Sequence, residues 1–148
     1  LDIILNEYSD HLKLKGNASP IESFEMYSSM SRDQLDKLDA ETCYEISMEL
    51  LQYSIFLQRE INREQSRINW CDAYISNVVS KHWNNYDKYM PKDIKVAAIS
   101  EEYPNLKKAL SIKSKAECLI KSVEHLPNLI KNYSDLFSNY GKVKSWKT

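Results

Sequence analysis

Glycine is nearly missing from this 148-residue chain, which holds two glycines and four prolines. A many-stranded fold would place turn-forming residues roughly every 8–12 positions, so this scarcity argues against one. Long apolar runs are missing too. None approaches the roughly 18 consecutive apolar residues that a membrane span needs. The first residues show no pattern of basic residues, apolar core and small-residue cleavage site, so a cytoplasmic protein with no membrane partner is expected. Cysteine is scarce, and Cys43, Cys71 and Cys118 form an odd, widely spaced set without a paired metal motif. They read as buried thiols in a reducing compartment.

What is present is helical periodicity. From Ala40 to Trp83 the polar-apolar pattern runs without a glycine or proline. A helix of that span would be about 65 Å long, too long to bury alone in a compact domain. It either breaks and folds back or packs lengthwise against long partners. Asp39 suits its N-cap and Glu41 its first turn. The apolar series is Ile46, Leu50, Tyr53, Leu57, Ile61, Ile68, Cys71, Ile75 and Val78, with Glu64 on the stripe and expected to meet an Arg or Lys. Ile55, Phe56, Trp70, Tyr74, Val79 and Trp83 widen the face beyond one neighbour. A homo-oligomer is therefore expected, with Ile46, Leu50, Tyr53, Leu57, Ile61, Ile68 and Ile75 at its interface.

Flanking elements follow from punctuation. Residues 1–14 carry Leu1, Ile4, Leu5, Tyr8 and Leu12 at helical spacing, stopped by Gly16-Asn17 and the Ser19-Pro20 loop. Residues 21–30 suit one or two turns, and Ser31 with Gln34 forms a capping box for a short helix over 32–38. After Asn84-Asn85, Pro91 opens a connector helix to about Ser100, with Ile94, Ala97 and Ala98 as its apolar face. A second long pattern runs from Pro104 to Tyr140, kinked near Val123 by Pro127 and stopped at Gly141. The expected fold is all-α, an elongated antiparallel long-helix hairpin or bundle. Its parts are an N-terminal helical cap (1–38), a hairpin domain (39–141) and a basic tail (142–148).

The sequence offers no converging catalytic constellation, so neither an enzyme nor a cofactor is expected. His11, His82 and His125 are scattered, with no ligand partner at helix spacing and hence no metal site. Gly141-Lys142 lacks the rest of a nucleotide loop. Charge is more informative. Residues 1–60 hold five Lys/Arg against twelve Asp/Glu, whereas residues 104–148 hold nine lysines against three acids. Lys107, Lys108, Lys113, Lys115, Lys121 and Lys131, then Lys142, Lys144, Trp146 and Lys147, read as a ladder for phosphates with one indole to stack on a base. The four arginines lie elsewhere, so any nucleic-acid binding would be sequence-independent. The same basic end could instead answer the acidic front of a neighbouring subunit.

The long helix, the spacer with Tyr86 and Tyr89, the second long helix and the closing Ile130-Lys131-Asn132-Tyr133, Phe137 and Gly141 carry a resemblance. Over residues 44–141 the chain resembles phage recombination mediators of the T-even type. That resemblance implies a small phage-encoded helical protein that forms rings, binds single-stranded DNA and helps load a recombinase, with Lys131 as a DNA contact. The competing expectation is a structural, adaptor or host-inhibitor protein working through protein contacts.

Overall fold

The computed structural model describes residues 20–147, and no strand occurs among them. The amphipathic segment expected over 1–14, with its Gly16-Asn17 stop, lies outside the described residues. The helices are α1 (Pro20–Ser28), α2 (Arg32–Asp36), α3 (Ala40–His82), α4 (Lys92–Glu102), α5 (Pro104–Val123) and α6 (Leu126–Trp146), with a 3-10 turn over Trp83–Asn85. The fold is all-α. Two compact units divide the chain, one described over 20–60 and 122–147, the other over Ile61–Lys121.

Local chemistry sets the helix starts. The N–H of Gln34 donates to Ser31 Oγ (3.3 Å) and the N–H of Ser31 to Gln34 Oε1 (2.9 Å), so the capping box of α2 is complete. At α3 the Thr42 N–H donates to Asp39 Oδ1 at 2.8 Å. Hydrogen bonding from Thr42 holds the Asp39 carboxyl below its usual range. Such a depressed group stabilises above the ordinary aspartate pKa of about 3.9, and the benefit is lost as pH falls through its lowered value. The melting-temperature gap between wild type and Asp39→Ala should therefore close on acidification. A gap that does not narrow as the pH falls would reject the cap.

In the first unit α3 and α6 run antiparallel. Ser47 Oγ donates to the Ser134 carbonyl and Ser134 Oγ to the Ser47 carbonyl, both at 2.7 Å. Further along, Ser54 Oγ donates to the Pro127 carbonyl at 2.8 Å. Phe24, Ile46, Leu50, Tyr53, Leu57, Ile130 and Phe137 fill the core. Across it lies α1, with Phe24 edge-on to Tyr133 (5.6 Å) and Tyr27 edge-on to Phe137 (6.0 Å). The Tyr27 hydroxyl donates to Glu49 at 2.8 Å, and burial, then this carboxylate, pushes its pKa up.

Two expectations about the C-terminal helix change. The chain breaks at Glu124-His125, because Pro127 in the first turn of α6 has no N–H for the Val123 carbonyl. Gly141, expected to stop the helix, lies buried inside α6, which continues to Trp146. Its missing side chain serves packing instead: a Cβ there would sit 2.8 Å from Tyr44 Cε1. Residues 142–146 are accordingly helix.

In the second unit the later half of α3 lies antiparallel to α5, joined by Lys113 to Asp72 at 2.6 Å. Glu64, 7% exposed, has the partner its position demanded, Arg67 Nη1 at 3.0 Å. At the end of α3, His82 stacks on Tyr103 (4.2 Å) and its Nδ1 lies 3.1 Å from the Tyr103 hydroxyl. The connector helix buries a different face from the one expected. Ile94 and Ala97 are exposed, while Lys95, Ile99 and Ser100 point inward.

Candidate nucleic-acid interface

The lysine ladder separates into groups. On α5, Lys108 and Lys115 lie two turns apart on one side, while Lys107 and Lys121 share a second side about 100° around the helix. All four are exposed. The crest between the rows carries Ser111 and Cys118, both small and exposed, so nothing bulky separates the two lines of charge. Lys107 meets Glu101 at 3.3 Å with both side chains largely exposed. Such a surface pair contributes little and yields readily to a phosphate.

Lys113 does not belong to this face. Its ammonium is engaged by Asp72 at 2.6 Å, with Glu117 at 3.8 Å, and the hydrogen bond to Asp72 pushes its pKa up. On α6, Lys131 and Lys142 are exposed on one side with Asp135 between them, and Lys147 is exposed at the C-cap. Lys144 turns inward and donates to the Leu35 and Leu38 carbonyls, closing the C-terminal end of α2. Two residues of the ladder thus have structural work. Trp146, 78% exposed, ends α6.

The residues expected at an oligomer interface are largely consumed inside the chain. Ile46, Leu50, Tyr53 and Leu57 are core residues of the first unit, Ile68 is buried in the second, and Ile61 and Ile75 are half-buried. Their burial therefore requires no second copy. Of the cysteines, Cys43 and Cys71 are buried as expected, but Cys118 is exposed on the α5 crest.

One further feature escaped the sequence. A groove of about 560 Å³ in the second unit is lined by Ile75, Val79, Trp83, Val96, Lys92 and Lys113, among others. Beside it Lys95 is 2% exposed, its ammonium 4.0 Å from the centre of the Trp83 ring. No carboxylate pairs with Lys95 among the described residues. The signal was Lys95 at i, i+4 from Ile99, obscured because lysine is seldom buried. A desolvated cation–π contact contributes about 2 kcal/mol, less than the several kcal/mol that burying an ion costs. Lys95→Met, which keeps the stem, should raise the melting temperature. A fall would show that the charge itself stabilises the unit.

Among the described residues no three His, Cys, Asp or Glu side chains gather to hold a metal ion, and no helix is long and apolar enough to cross a membrane. The chain matches no family model, and the comparisons with curated proteins and with solved structures found no match.

Proposed function

We propose that this chain is a non-catalytic accessory protein that binds single-stranded DNA without sequence preference. The observation that carries the reading is α5, with Lys107 and Lys121 on one side of a small-residue crest and Lys108 and Lys115 on the other. Positive charge in two lines suits a flexible polyanion, whose phosphates need no fixed register. Lysine supplies charge without the planar fork that base-edge readout uses, so unrelated sequences should bind alike. The resemblance of residues 44–141 to T-even recombination mediators points the same way and adds recombination as the setting, a recombinase as the protein partner, a phage as the source and Lys131 as a separate contact. We place the action in the cytoplasm, where the exposed Cys118 thiol would stay reduced.

The test is retention on single-stranded DNA at low salt, with competitor strands of unrelated sequence. Equal competition supports the reading; absence of retention rejects it. A second reading, a protein-contact module such as an adaptor or host inhibitor, draws on Tyr44, Met48 and Ile55, exposed on one side of α3. It is favoured if low-salt retention fails.

A further inference from the structure

We propose that Trp70 and Tyr74, on the outer side of α3, form a base-stacking site, where a nucleobase of single-stranded DNA lies on the open face of the Trp70 indole. The two rings stack with centroids 5.7 Å apart and planes 7° from parallel. A stacked aromatic pair usually belongs to a core, yet Trp70 is 64% exposed. Helical side chains lean towards the N-terminus, so Tyr74 backs the indole from its C-terminal side. One turn ahead of Trp70 stands Ser66, exposed, its Oγ donating to the Asn62 carbonyl at 3.1 Å. A side chain that small leaves the other face of the ring open. Contact with Tyr74 also restricts the indole beforehand, so less freedom is lost when a base arrives.

Charge around the rings identifies the occupant. Arg63, Arg67, Trp70, Tyr74, Asn77 and Lys81 fall within about 80° around the helix and about 27 Å along it. Arg63, Arg67, Asn77 and Lys81 are exposed. The two acids of α3 within this unit lie on other sides: Glu64 is buried against Arg67, and Asp72 is engaged by Lys113. No carboxylate on this side of α3 therefore repels an anion, and the aromatic surface asks for a flat apolar face. Duplex DNA keeps its base faces inside its own stack, and an acidic peptide would use the cations while leaving the indole idle. A single strand satisfies both features at once. Because every base has a π-face, the site adds affinity without sequence preference. The inference rests on the single-stranded DNA reading, but it is carried by rings on a different helix from the α5 lysines.

The experiment is a low-salt titration of the full chain with two single strands of equal length, one of thymidines and one of abasic sugar-phosphate. Wild type, Trp70→Ala and Trp70→Phe are compared. Trp70→Ala should weaken binding to the thymidine strand by about five- to a hundredfold, the range for losing one base–aromatic stack. Trp70→Phe, which keeps a ring, should recover much of that loss. Neither variant should change affinity for the abasic strand or the salt dependence, because no phosphate contact is removed. Helicity should match wild type, since Trp70 lies outside the core. A wild type that binds the thymidine strand no better than Trp70→Ala overturns the stacking site and leaves the DNA reading standing, whether the rings then serve a second copy or another protein. A loss equally large on the abasic strand overturns it too, because the bases are then not involved. A wild type that binds neither strand overturns the DNA reading and this site with it.

Discussion

Phe137→Ala should remove about 3–5 kcal/mol of stability, the range for a buried aromatic ring truncated in a core that relaxes only in part. Phe137 is 1% exposed and meets Tyr27 and Tyr140 edge-on, beside Leu50 and Ile130. Its loss opens a cavity where α1, α3 and α6 converge. A small domain has about 5–15 kcal/mol in all, so the variant should unfold at a far lower denaturant midpoint. Met48, on α3 but 55% exposed, supplies the contrast. Met48→Ala should change stability by less than about 1 kcal/mol. Equal losses at the two positions would mean that the buried face of this unit has been misassigned.

Reversing the α5 charges should have the largest functional effect. With Lys107, Lys108, Lys115 and Lys121 all replaced by Glu, affinity for single-stranded DNA should fall by on the order of a hundredfold or more at low salt, as attractive phosphate contacts become repulsive. The fold should survive. All four side chains are exposed, the Glu101 pair of Lys107 is a surface contact, and glutamate near the start of α5 is compatible with the helix dipole. Circular dichroism should therefore match wild type. Reversal of Lys113 would not serve, because its Asp72 partner would be left against a like charge.

Much of the fold was legible in the sequence because helix ends are local events. Asp39 and the Ser31–Gln34 box each mark a helix start through groups within four residues, and the structure bears both out, while Pro127 breaks the helix that it was expected only to kink. Burial was legible where period and hydrophobicity agree, as at Leu50, Leu57 and Ile130. It failed where packing depends on size. Ser47 and Ser54, opposite Ser134 and Pro127, lie at seven-residue spacing and let α3 approach α6, but serines read as surface in a hydropathy pattern. Gly141 read as a stop because glycine's freedom at helix ends is local, whereas the ring of Tyr44 that it admits is 97 residues away.

The candidate interface was less legible still. A count of lysines cannot tell Lys108 from Lys144: one meets solvent, the other caps α2 from far along the chain. The two rows on α5 needed a fixed helix phase. The stripe on α3 was read as an oligomer interface from its width alone. Its apolar width was real, but much of the surface covering it belongs to the same chain.

Binding to single-stranded DNA, followed as a function of salt for wild type and the four-lysine reversal, tests the central claim most directly. Single strands release about 0.7 counterion per neutralised phosphate, so four lysines predict a log–log slope of about −3 in wild type. The reversal should bind too weakly to measure or show a slope shallower by about that amount. Slopes that coincide, or a wild type that fails to bind at low salt, would contradict the account.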